Sequence, residues 1–160
     1  MKVFIAADHA GFALKGALTD HLRVRGVEVE DLGAFSPEAT DDYPDFILPL
    51  AQRIATDPEV RGIIIGGSGQ GEAMTANRVR GVRAAVFYGP RCVAETLEME
   101  GGHSEDGFDL VRLARRHNNA NVLSIGARFV SADEADEAVR IFLDTPFSDS
   151  PRHARRLAKF

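Results

Sequence analysis

Between positions 66 and 72 the chain reads Gly66-Gly67-Ser68-Gly69-Gln70-Gly71-Glu72, directly after the apolar run Gly62-Ile63-Ile64-Ile65. A buried strand that empties into residues too small to block a ligand leaves backbone N–H groups free to converge on an anion. A carboxylate stands at the far edge. The spacing G-x4-G is that of a phosphate-binding P-loop, which requires Lys and then Ser or Thr, whereas here Glu72 and Ala73 follow. A triphosphate would meet repulsion. The dinucleotide pattern G-x-G-x-x-G fails as well, because counting from Gly67 its last glycine falls on Glu72. What survives is an oxyanion cradle beside a candidate general base, which is equipment for removing a proton next to a carbonyl. Glu72 also has a plainer reading, since the helix dipole favours acids in a first turn.

These groups need a scaffold. Five runs rich in Val and Ile, at residues 2–7, 27–32, 62–65, 83–88 and 122–125, predict strands. Between them Ala13, Leu14, Ala17, Leu18, His21 and Leu22 share one helical face, and Phe46, Ile47, Leu50, Ala51 and Ile54 share another. His21 is read there as a structural residue. Pro44 opens the second helix, with Asp41 and Asp42 as caps and Tyr43 packed at its start. Ser131-Ala132-Asp133-Glu134 reads as a capping box before a helix that Pro146 stops, and a basic tail runs from Arg152 to Lys159. The alternation predicts an α/β fold: a three-layer αβα sandwich around a five-stranded parallel sheet. With no repeat or linker, residues 1–160 form one domain.

In such a sheet the ligand lies beyond the carboxyl ends of the strands, where the strand order reverses. Asp8-His9-Ala10-Gly11, the glycine loop and Gly126-Ala127-Arg128 can therefore share one mouth. His117-Asn118-Asn119 precedes the fifth strand and falls at the opposite end, unless the chain bends back or a second subunit supplies it.

Composition narrows the partners. The 160 residues are 44% hydrophobic, enough for one buried core, and the net charge of −5 with a pI near 5.5 disfavours nucleic acid. Any anionic substrate must find a local Arg cluster. A single cysteine, Cys92, excludes an intrachain disulfide and predicts a cytoplasmic protein, and its expected role is that of a small buried apolar side chain. The N-terminus turns acidic too early for a signal peptide, and no apolar run reaches membrane-spanning length. Arg115, Arg116 and Arg155 are read as solvated charge. His103 with Glu105 and Asp106 is read as a solvated loop rather than a metal cluster.

Taken together, Ile5-Ala6-Ala7-Asp8-His9-Ala10-Gly11 with Leu14-Lys15, then Asp42-Tyr43-Pro44-Asp45, Gly66–Glu72, Ala76-Asn77-Arg78-Val79 and Gly81-Val82-Arg83-Ala84 resemble the ribose-5-phosphate isomerase B family. Arg116-His117-Asn118-Asn119-Ala120-Asn121-Val122-Leu123, Gly126-Ala127-Arg128 and Arg152-His153 with Arg156 extend the match over nearly the whole chain. The resemblance implies a Rossmann-like domain that interconverts aldose and ketose phosphates through an enediolate. It implies dimers, or dimers of dimers, with active sites shared between subunits, and no metal or cofactor. It assigns Asp8 and His9 to sugar hydroxyls and part of the phosphate end, and the N–H groups of Gly67, Gly69, Gln70 and Gly71 to the enediolate oxygens. Ser68 anchors a substrate oxygen, His117 opens the sugar ring, Asn118 holds a neighbouring oxygen, and Arg128, Arg152 and Arg156 grip the phosphate. Tyr43 would wall the sugar, and His153 would serve the phosphate or the groups around it.

Two departures matter. Many members of the family carry a catalytic cysteine where this chain has Gly66. A second branch has a glutamate at the Glu72 position and a serine at Ser68, and this chain resembles that branch. The stretch between Pro90 and His117 is longer than usual, with the extra residues inside 95–111, a polar, glycine-rich surface loop between two helical pieces. The leading expectation is an isomerase of ribose 5-phosphate and ribulose 5-phosphate. The alternatives are an isomerase of a hexose 6-phosphate or tetrose 4-phosphate, or a non-catalytic sugar-phosphate-binding module.

Overall fold

The computed structural model describes residues 1–92 and 105–159. Its elements run β1 (Lys2–Ala7), α1 (Phe12–Val24), β2 (Glu28–Asp31), α2 (Pro44–Thr56), β3 (Arg61–Gly66), α3 (Gln70–Ala76), β4 (Ala84–Phe87), α4 (Asp109–Asn118), β5 (Val122–Gly126), α5 (Ala132–Asp144) and α6 (Pro151–Leu157). The strands form one sheet in the order β2-β1-β3-β5-β4, and every pairing is parallel. The expected five-stranded α/β sandwich is therefore present.

The apolar runs explain it. β1, β3 and β5 are central strands covered on both faces, so they read as continuous Val, Ile and Ala rather than as an alternation. Leu18 and Leu22 of α1, Val111 of α4 and Val139 and Phe142 of α5 pack on one face of the sheet. Ile47, Leu50, Ala51 and Ile54 of α2 and Ala76 of α3 pack on the other. The Ser131 capping box forms as expected, with Ser131 Oγ accepting from the Glu134 N–H and the Glu134 carboxylate accepting from the Ser131 N–H.

Four sequence readings need correction. His21 is not on the buried face: it is half exposed, and its Nδ1 lies 3.2 Å from Asp136 of α5. Arg115 is not solvated. It is buried, and its guanidinium donates to the Thr145 and Ala120 carbonyls and to the Asn119 side chain, tying the end of α4 to the start of β5 and the end of α5. Burial, and then repulsion from Arg61 and Arg83, pulls its pKa down to about 10. Cys92 is exposed rather than packed. Pro44 does open α2, but the cap is Tyr43 without a side-chain bond, and Asp41 turns elsewhere. The basic tail, which has no apolar stripe, folds as α6 behind Ser150 and Pro151. Of the expected inserted loop, residues 95–104 lie outside the described residues.

Candidate active site

The strand order reverses between β1 and β3, where β2 lies to one side and β5 and β4 to the other. Asp8 and His9 leave the end of β1, and the glycine loop leaves the end of β3. Gly66 pairs with Gly126 at the end of β5, so Arg128 joins the same mouth. The loop is fixed from below. Ala127 N–H donates to the Gly66 carbonyl at 2.9 Å, and Arg128 N–H donates to Gly67 at 3.2 Å. The buried Ser124 hydroxyl on β5 donates to the Gly69 carbonyl at 2.6 Å. Gly69 takes a left-handed conformation, φ 71°, that lets the chain turn directly into α3. The first N–H groups of that helix have no carbonyl within it to bond.

Glu72 is buried, at 4% exposure, in the first turn of α3. Its carboxyl occupies the space where a side chain at position 66 would begin. A Cβ on Gly66 would overlap one carboxyl oxygen and lie 2.7 Å from the other. Burial lifts the Glu72 carboxyl above the usual carboxylate range, its own backbone N–H opposes the rise, and Asp8 adds to it. A base for neutral pH needs that direction of shift. Because the colliding atoms end a flexible side chain, Gly66→Ala is expected to leave the fold and thermal midpoint nearly intact while displacing the carboxyl. A misplacement of about 1 Å costs on the order of 10²-fold, so turnover should fall by about tenfold to a hundredfold. Steady-state kinetics beside a circular-dichroism melt checks this.

The other expected residues at this mouth are in place. The Tyr43 phenol lies against Gly71, where a Cβ would come within 2.7 Å of its ring and hydroxyl. The Arg128 guanidinium lies over Gly67, and Ser68 and Gln70 are exposed at the rim. Asp8 is buried and accepts from the Gly11 N–H at 3.0 Å. His9 Nδ1 is 2.6 Å from Asp41 Oδ1, a bond that raises the His9 pKa; desolvation and Arg128 oppose the rise, while Asp8 supports it.

His117, Asn118, Arg152 and Arg156 are elsewhere. His117 and Asn118 end α4, which feeds β5 at the amino-terminal end of the strands, opposite the glycine loop, and five strand residues at about 3.3 Å each separate the two ends. There α6 packs on α4, and the His117 and His153 rings stack with centroids 4.1 Å apart. They line a cavity of about 140 Å³ with Arg116, Phe147, Ser148 and Arg152. Arg152 Nε donates to His153 Nε2 at 3.1 Å. A guanidinium has no lone pair to offer, so His153 Nε2 is unprotonated and its Nδ1 carries the hydrogen, donated to Ser148 Oγ at 3.0 Å. Burial pushes the His117 pKa down, and the positive charges of Arg152, Arg116 and Arg156 around it push the same way. The two site histidines are thus driven apart: His9 toward the cation, His117 toward the neutral imidazole. Sequence reading missed Asp41 and Ser124 as parts of the site. Each acts on a residue distant in the chain, 32 and 55 positions away.

The glycine loop and the buried Glu72 lie at the switch point of a doubly wound parallel α/β sheet, the place where such folds bind their small-molecule ligands. Residues 3–101 and 107–160 match the model of the ribose/galactose isomerase family, and the chain belongs to that family. Ribose-5-phosphate isomerase B of Mycolicibacterium paratuberculosis is 40% identical over 157 residues, 98% of this chain and 87% of that protein. The Mycobacterium tuberculosis protein of the same name is also 40% identical, with 98% and 86% covered. Among solved structures, ribose-5-phosphate isomerase B of Mycoplasma genitalium with bound ribulose 5-phosphate superposes with a TM-score of 0.84 at 36% identity, covering 99% of this chain and 92% of that one. The Thermotoga maritima ribose 5-phosphate isomerase gives 0.83 at 40% identity, with 99% and 95% covered.

Proposed function

We infer that this chain is an aldose–ketose isomerase that interconverts ribose 5-phosphate and ribulose 5-phosphate through an enediolate. The observation that carries the reading is the buried Glu72 carboxyl, seated against Gly66 at the edge of the glycine loop. His117, neutral at working pH, passes a proton between the anomeric hydroxyl and the ring oxygen to open the aldose. Glu72 takes the proton from C2 and returns it to C1, while a proton moves between the two oxygens. The loop N–H groups and Ser68 hold the negative charge that develops on those oxygens. Asp8 and Asn118 bind hydroxyls, Tyr43 walls the sugar, and His9, Arg128, Arg152 and Arg156 hold the phosphate, a task suited to forked, permanently charged guanidinium groups. Aldose and ketose are isomers with no net gain or loss of electrons, so the scheme calls for no redox cofactor.

The same reading makes the active form a homodimer, or a dimer of dimers. Glu72 and His117 stand at opposite ends of one sheet, so a complete site takes one end from each of two copies. No helix among the described residues is long and apolar enough to cross a membrane. The unpaired Cys92 agrees with a reducing, cytoplasmic setting. A panel of pentose, tetrose and hexose phosphates assayed in both directions tests the substrate. The pentose pair should give the highest kcat/KM. Preference for a hexose 6-phosphate would move the assignment to the galactose side of the family, and no turnover of any of them would leave a binding module.

A further inference from the structure

Asp41 lies outside every motif that first marked the site, yet its side chain, 7% exposed, reaches the mouth and bonds His9 at 2.6 Å. An ionised carboxylate only accepts hydrogen bonds, so this contact fixes the hydrogen of His9 on Nδ1. The remaining nitrogen, Nε2, is then a lone pair in the neutral ring and a donor only in the imidazolium. His9 can grip an anion only as a cation. The charges around it are Asp41 in the loop before α2, Asp8 on its own loop and Arg128 from the loop after β5. The two acids favour the cation, and Arg128 opposes it. His9 and Arg128 are thus two positive groups close enough to repel, and an anion placed between them would relieve the repulsion. The second oxygen of Asp41, Oδ2, is buried with no hydrogen-bond partner, so the bond to His9 is the one the Asp41 side chain makes among the described residues.

Resting on the isomerase reading, we propose that Asp41 is a positioning residue that locks His9 by Nδ1 and presents its Nε2 as a charged donor to the substrate phosphate. Substrate capture then depends on pH in a defined sense: the His9 donor is present at low pH and is lost as pH rises through the His9 pKa.

Asp41→Asn keeps the size and an acceptor oxygen but removes the charge. NMR titration of the His9 ring nitrogens in the free protein should show the midpoint moving to lower pH in Asp41→Asn, and the wild-type neutral form should carry its hydrogen on Nδ1. KM for the sugar phosphate and the inhibition constant of inorganic phosphate should rise about tenfold near pH 8, where the variant ring is neutral, and by much less near pH 6. kcat should fall by less than KM rises. On a His9→Asn background the Asp41 change should add nothing. An unmoved His9 midpoint, or a KM effect equal at both pH values, would overturn the proposal. The titration and phosphate binding need no turnover, so they decide the point even if the sugar panel were to refute the isomerase.

Discussion

Glu72→Gln is expected to lower isomerisation by about 10³-fold or more while substrate still binds, because the amide keeps the size of the side chain but cannot take a proton. Exchange of the substrate C–H hydrogen with deuterium from solvent should disappear in parallel. Binding of inorganic phosphate should stay near the wild-type value, which separates a lost base from a collapsed site. In the wild-type enzyme the acidic limb of the rate profile should reflect Glu72. Burial raises its pKa, and the base works only when ionised, so activity should rise as pH climbs through a midpoint above that of an ordinary glutamate. Cys92 is exposed and lies outside both clusters of site residues, so blocking its thiol should leave the rate unchanged. Near wild-type exchange in Glu72→Gln would mean that another group carries the proton.

Mixing two dead proteins should restore activity. If each site takes its glycine-loop end from one subunit and its His117 end from the other, Glu72→Gln and His117→Ala homodimers both have two broken sites. A mixed dimer has one site with both changes and one site with neither. Random reassortment of equal amounts should therefore recover about a quarter of wild-type turnover. The rise should follow the rate of subunit exchange and fail when the two proteins are cross-linked as homodimers beforehand. Recovery of nothing after demonstrated exchange would place both residues of a site in one chain.

The parts of this molecule that were legible in sequence share a property: their signal is local. The strands announce themselves as short apolar runs because the central ones are covered on both faces, and the Ser131 box closes within four residues. The glycine loop and Glu72 stand side by side in the chain. What sequence missed or misread depends on partners brought from afar. Arg115 resembles any surface arginine until the Thr145 and Ala120 carbonyls reach it, and Ser124 looks like a polar gap in a strand until the Gly69 carbonyl arrives above it. Asp41 reads as a helix cap beside Pro44, and only the β1 loop, folded over it, supplies the imidazole that claims it. The α6 tail was hidden for a different reason: five of its seven residues are exposed, so it has no periodic stripe.

The collision between a side chain at position 66 and the Glu72 carboxyl limits what this backbone can hold. Any β-carbon at position 66 and the Glu72 carboxyl claim the same space, so the two cannot both keep their present places. Position 66 is in effect reserved as empty room for a side chain that starts six residues later. An electrophile aimed at a thiol would find, at this address, a glycine with nothing to attack.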